Sequence, residues 1–274
     1  MSLPLFKARG PAREPVLTAR LFAATVSFAA LSTAAVAADM PLKASPPAPV
    51  YQWTGCYIGL NGGAGASSSN FNANVGSGTY LTGTDPATAS TDGSGSANDT
   101  RAIGGGQLGC NWQTGTLVVG LEGDFDYFRG NANFYNNTNT LADGVTTFVA
   151  GQSLSTNYLA TVRPRIGIAA DRNFAYITGG VAFTEANYTV SYTDAAGGAG
   201  SASASKSLTG WVVGAGWEYA FVDHWTLRFE YLFSSFPSTS ASGTITSPGG
   251  GTNPLSGSGD LVIQVARAGI DYKF

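Results

Sequence analysis

The chain closes on Leu261-Val262-Ile263-Gln264-Val265-Ala266-Arg267-Ala268-Gly269-Ile270-Asp271-Tyr272-Lys273-Phe274, and this stretch decides the fold. Gln264, Ala266, Ala268, Ile270, Tyr272 and Phe274 share one parity, and Val265, Arg267, Gly269, Asp271 and Lys273 share the other. Successive side chains of a strand point to opposite faces, so one face here is mostly apolar and the other carries the charges. The final residue is aromatic, with Tyr272 and Ile270 in step behind it.

The same alternation recurs upstream. Tyr51–Ala66 sets Cys56, Ile58 and Leu60 against Tyr57, Gly59, Asn61 and Gly63, and Arg101–Trp112 sets Leu108, Cys110 and Trp112 against Gln107 and Asn111. Thr116–Phe128 alternates most sharply, with Leu117, Val119, Leu121, Phe125 and Tyr127 opposite Glu122, Asp124 and Asp126. In Leu154–Ala169, Tyr158, Ala160, Val162, Ile166 and Ile168 oppose Asn157, Thr161, Arg163 and Arg165; Pro164, which cannot donate to a ladder, is awkward there. Phe174–Tyr188 is the fifth strand. Ser207–Ala220 sets Trp211, Val213, Ala215, Trp217 and Tyr219 against Gly214, Gly216 and Glu218, and Trp225–Phe236 sets Leu227, Phe229, Tyr231 and Phe233 against Arg228, Glu230 and Ser234.

These are eight strands. Polar segments at Ser67–Thr100, 129–152, 189–206 and Pro237–Gly259 read as long loops, and they alternate with tight turns at 113–115, 170–173 and 222–224. Such asymmetry is expected of an eight-stranded antiparallel transmembrane β-barrel with short periplasmic turns and long extracellular loops. Trp53, Trp112 and Trp225 fall beside the turn ends, where an aromatic girdle belongs. The competing fold is a soluble eight-stranded barrel with an apolar interior, in which the alternation is inverted.

The amino terminus favours the membrane barrel. Lys7, Arg9, Arg13 and Arg20 precede the apolar run Leu21–Ala37, which ends in Ala35-Val36-Ala37, so residues 1–37 read as a secretory signal. The run is shorter than the ~20 residues of a spanning helix. Residues 38–50 are proline-rich and read as an extended periplasmic tail before a barrel at 51–274. The whole chain has net charge −3; losing residues 1–37 removes four positive charges and Glu14 and leaves −6, which argues against nucleic acid as a partner.

Charge facing hydrocarbon costs about 2–4 kcal/mol per residue at the bilayer midplane, so Glu122, Asp124, Asp126, Arg163, Arg165, Glu218, Arg228, Glu230 and Arg267 are expected to point inward. An eight-stranded interior is just wide enough for side chains, so these nine should form a lumenal ion-pair network. Two functions follow: a plugged wall whose network fixes the register, or a narrow charged pore for small solutes. Cys56 and Cys110 sit on neighbouring strands and on one face; they are either bridged, in an oxidising compartment, or two apolar thiols.

Other signals are weaker. Gly104–Gly109 matches G-x-G-x-x-G but reads as strand with no helix after it, so the dinucleotide context fails. His224, the single histidine, lies in a proposed periplasmic turn, away from any rim where a Ser–His or Asp–His site could form. Asp85, Asp92 and Asp99 fit no calcium-loop spacing and read as a solvated loop. No cofactor, metal or catalytic residue is indicated.

Several motifs together resemble one family. Trp53-Thr54-Gly55-Cys56-Tyr57-Ile58-Gly59, Gly104–Trp112, Val119-Gly120-Leu121-Glu122-Gly123-Asp124, Arg163-Pro164-Arg165-Ile166-Gly167, Tyr176–Ala182, Gly214–Tyr219 and Arg228-Phe229-Glu230-Tyr231 are similar to the alphaproteobacterial porin-family outer-membrane proteins, often called outer-membrane immunogenic proteins. The resemblance implies an OmpA-like eight-stranded barrel, a surface antigen and a role in envelope integrity, with no shared catalytic residues. It also implies outer-membrane lipid and lipopolysaccharide as surroundings, and recognition of Ile270, Tyr272 and Phe274 by the barrel assembly machinery. The chain departs from the pattern at Cys56 and Cys110, where an aromatic is usual, and at Pro164, where glycine is common.

Overall fold

In a computed structural model, which describes residues 51–274, eight antiparallel strands close into one barrel. They are β1 (Gly55–Val75), β2 (Gly95–Thr114), β3 (Leu117–Thr140), β4 (Thr147–Ala170), β5 (Asn173–Asp194), β6 (Ala199–Val222), β7 (Trp225–Thr246) and β8 (Thr252–Lys273). Neighbours in sequence are neighbours in the wall, and β8 returns to β1, pairing Tyr57 with Lys273 and Val75 with Leu255. Phe274 N donates to Cys56 O at 3.0 Å and fastens the carboxy-terminal end to β1.

Two-residue turns join β2–β3, β4–β5 and β6–β7 at one end. They use left-handed backbone at Gly115 (φ 63°) and at Asp171 (φ 53°). The far end differs from the sequence expectation. The strands run 20–24 residues, about twice the ~10 residues that cross a bilayer. Most of the four polar segments read as loops is therefore strand. What remains between strands is 141–146, 195–198, 247–251, and the longer 76–94, which carries the short helix α1 (Asp85–Asp92).

The facing pattern explains the misreading. Near the turns the outward face is apolar, with Leu60, Leu108, Phe125, Ile168, Ile177 and Phe229 all exposed, and the inward face is charged. Beyond Phe128 on β3 and Val265 on β8 the pattern inverts. Phe71, Phe148, Leu154, Tyr188, Tyr192 and Ile263 point inward and are buried in a continuous apolar core. Their outward neighbours Asn72, Ser203, Ser240 and Thr252 are polar and exposed. The barrel has two storeys: polar inside and apolar outside below, the reverse above.

Two ladders loosen in the upper storey. β2 and β3 pair only up to Ile103 and Phe128, and β6 and β7 pair at Ala199 with Thr246 and again only from Trp211 with Ser235. Asp99 crosses the first gap, accepting a hydrogen bond from Asn131 N at 2.9 Å.

Three local expectations are corrected. Asn157 is exposed, because pairing slips between Thr156–Ala186 and Ala160–Phe183 and turns Leu159 inward instead. Pro164 sits in a central strand but faces outward; the β4–β5 ladder skips it, and Thr178 Oγ1 donates to its carbonyl at 2.9 Å. Trp53 is not in a girdle. It is 1% exposed inside the turn-end mouth, packed at a tilt against Phe174 with ring centroids 5.1 Å apart, and its Nε1 donates to Asp171 O at 3.3 Å. The signal (1–37) and tail (38–50) lie outside the described residues.

Candidate functional site

The site is the lower lumen. A strand of the lower storey aims every second side chain at the axis, and inward glycines leave room for the long ones. A β-carbon at Gly59 would meet the Asp271 carboxylate, and one at Gly109 the Tyr57 hydroxyl. In the space so formed the structure brings together all nine charged residues named from the sequence, with Asp271 as a tenth.

Arg163 lies at the centre. Its Nη2 donates to Glu122 Oε1 at 2.7 Å and to Asp124 Oδ2 at 2.8 Å, its Nη1 to Glu230 Oε1 at 3.0 Å and its Nε to Thr161 Oγ1 at 2.8 Å. Toward the turns, Arg165 Nη1 reaches Glu218 Oε1 at 2.6 Å, while its guanidinium rests between the rings of Tyr57, Phe174 and Tyr176 at 4.7, 5.4 and 5.1 Å from their centroids. Such contacts supply part of what a desolvated cation loses on leaving water. Arg228 pairs with Glu122, and its Nη2 lies 3.0 Å from both Glu218 Oε1 and Asp271 Oδ2. At the upper end Arg267 holds Glu230 at 2.6 Å, Asp124 at 3.3 Å and Asp126. Glu122 is the hub, with three arginines and the Tyr57 hydroxyl on its two oxygens. These ten side chains are at most 3% exposed.

The sequence reading passed over Asp271 and the neutral partners. Tyr176 OH donates to Glu230 at 2.9 Å, Gln107 Nε2 to Asp271 Oδ1 at 2.7 Å, and Asn111 Oδ1 accepts from Arg165 Nε at 2.9 Å. Asp271, Gln107 and Asn111 share the charged parity of their strands, which is the signal that could have found them. Tyr57 shares the parity of Asn61 as well, whereas Tyr176 carries no such signal, because an aromatic suits either face.

Both ends of the barrel are occupied by chain. Tyr51 and Trp53 fill the lower mouth. At the upper mouth Leu81 and Ala89 enter the apolar core, and the buried Asn253 amide accepts from Tyr80 N and Leu81 N and donates to Gly76 O and Leu81 O. Tyr80 OH donates to the Asp194 carboxylate at 2.8 Å; burial, then that bond, push the phenol up to about 12.

The model of the outer membrane protein beta-barrel domain family matches residues 22–274. The chain belongs to this family. It is 31% identical over 227 residues to the 31 kDa outer-membrane immunogenic protein of Brucella melitensis, covering 76% of this chain and 84% of that protein. It is 27% identical over 252 residues to the 25 kDa outer-membrane immunogenic protein of Brucella abortus, covering 89% and 92%. Among solved structures, the outer membrane protease OmpT of Escherichia coli aligns over 83% of this chain and 99% of its own, at 8% identity and a TM-score of 0.43. Neisserial surface protein A aligns over 81% and 98%, at 13% identity and 0.31.

The family barrel sits in the outer membrane of a Gram-negative bacterium. Its lower storey is the membrane band, bounded near the periplasm by Trp225, Tyr272 and Phe274 and on the outer side by the Trp211–Phe233 and Phe125–Tyr158 pairs. The charged residues are buried in the lumen of this band. Ile270, Tyr272 and Phe274 face lipid, 39%, 38% and 68% exposed.

In this outer-membrane barrel Cys56 and Cys110 are directly opposed across β1 and β2 and joined, with S–S 2.08 Å. The unreduced, folded protein is expected to resist alkylation. Reduction should lower its urea midpoint, with about 4 kcal/mol the ceiling for a closed loop of this length. Two alkylated thiols without reduction would rule the bond out.

Proposed function

We propose that this protein is a non-catalytic wall protein of the outer membrane, supporting envelope integrity and presenting a surface antigen, with a lumen plugged by ion pairs. The observation that carries the reading is the packing of ten charged side chains, none more than 3% exposed, across an interior that eight strands barely leave open. The apolar upper core and the chain in both mouths add two further closures. The immunogenic outer-membrane relatives support the antigen part. Against catalysis stands His224, which lies exposed in a periplasmic turn with its Nδ1 3.0 Å from Lys273 O.

Single-channel recording of the purified barrel in a planar bilayer tests the plug. The expected result is silence from protein whose folding is verified by its heat-shifted gel migration. Stable, reproducible steps, with an ion selectivity that changes on Arg163→Gln, would overturn the plug in favour of a small-solute pore.

A further inference from the structure

The lumenal charges do not balance. The buried ionisable residues of the lower storey are four arginines, 163, 165, 228 and 267, and six acids: Glu122, Asp124, Asp126, Glu218, Glu230 and Asp271. Four positive against six negative leaves a surplus of two negative charges in a desolvated column. Unpaired buried charge is strongly destabilising, so something must offset it.

The geometry says where. Glu122 has three arginine partners, and Asp124, Glu218 and Glu230 have two each. Only Asp126 and Asp271 have a single one, Arg267 and Arg228 respectively. Each also carries a buried oxygen that accepts no hydrogen bond: Oδ1 of Asp126, and Oδ2 of Asp271, which has Arg228 Nη2 at 3.0 Å but out of hydrogen-bond alignment. Two surplus charges and two under-partnered carboxylates coincide, one at each end of the network.

We propose that the plug holds two monovalent cations taken from the medium, one at Asp126 and one at Asp271. The inference rests on the closed-lumen reading and extends it. At Asp126 the free Oδ1 lies beside the Oδ2 that Arg267 holds, and at Asp271 the Oδ2 without a hydrogen bond faces Arg228; each suits a single positive charge, a proton or an alkali-metal ion. Among the described residues no three ligand-type side chains converge to hold a metal ion.

The surroundings supply no other counter-charge. Asp126 faces Gly105 on β2, Leu159 on β4, Asp124 on its own strand, Arg267 from β8 and the uncharged Asn61 amide from β1. Asp271 faces Gly59 on β1, Thr226 and Arg228 on β7 and Gln107 on β2. Lys273 shares its face but turns to the mouth, where its ammonium donates to Gln52 O and lies 4.2 Å from the Tyr51 ring centroid.

The test compares the wild type with Asp126→Asn and Asp271→Asn, using Asp124→Asn as the contrast. Asparagine mimics a neutralised carboxyl. Both end variants should therefore fold and melt at or above the wild-type temperature, while Asp124→Asn, which strips a partner from two arginines, should melt lower. If the cations are protons, infrared spectra at neutral pH should show carboxylic-acid carbonyl absorption that shrinks in each end variant. If they are alkali ions, that absorption should be absent, and melting should rise with sodium or potassium at ionic strength held constant by a bulky organic cation. This dependence should vanish in the double variant. Neither signal, or end variants as destabilised as Asp124→Asn, would overturn the proposal. These readouts do not depend on conductance, so an open pore and a balanced lumen are separately detectable.

Discussion

Glu122→Leu should destabilise the folded barrel by about 3–5 kcal/mol, the ordinary result of removing one member of a buried charge cluster. Glu122 is shared by Arg163, Arg165 and Arg228 and accepts from Tyr57 OH, so its loss takes one partner from each guanidinium and leaves Arg165 with Glu218 alone. The fall is read as the drop in urea midpoint of protein folded into lipid vesicles. A shift no larger than that of an exposed loop substitution would mean that the network is hydrated and carries little of the fold. Partial recovery in a Glu122→Leu/Arg228→Leu pair would locate the cost in the broken pairing of these two residues, because replacing both partners by apolar groups leaves neither half of the pair behind.

Phe128→Ala should cost a similar amount, about 3–5 kcal/mol, for a different reason. Phe128 is fully buried where the polar and apolar storeys meet. Its ring takes the volume that β-carbons at Gly65 and Gly130 would occupy. Two strands have thus given up side chains to seat one aromatic, and truncation leaves a void lined by backbone that cannot collapse. The same vesicle-based urea titration measures it. A small loss would mean that the upper core is plastic.

Much of the lower storey was readable from residues alone. Leu117 to Tyr127 alternates against Glu122, Asp124 and Asp126, and a bilayer allows that contrast in only one orientation, so parity was enough to send the charges inward. Which acid meets which arginine was not readable. Arg267 holds Asp124 and Asp126 from more than 140 residues away, and that pairing depends on how far closure staggers β8 across from β3. The upper storey was hidden by averaging. In 67–75 and 252–260 the outward residues are Ser, Asn and Thr with Pro254 and Asp260, and a window that sums both faces reads as loop. Alternation persists there with its sign reversed, Phe71 and Val75 against Asn70, Asn72 and Asn74. Trp53 misled because an aromatic beside a turn suits both a girdle and a stopper, and only the packing against Phe174 distinguishes them.

The continuation of the strands far above the aromatic girdle bears on what an approaching antibody meets. Apart from 76–94, the outer connections are only four to six residues long, so most of the outer surface is the flank of the sheet. Neighbouring recognisable atoms on that flank come from strands distant in sequence, as where Asn72 lies beside Ser258. An epitope on that flank would be discontinuous and would exist only while the barrel is closed. A peptide cut from 67–100, or boiled protein, offers the same residues without their neighbours, so antibody binding to this surface would report on folding as much as on sequence.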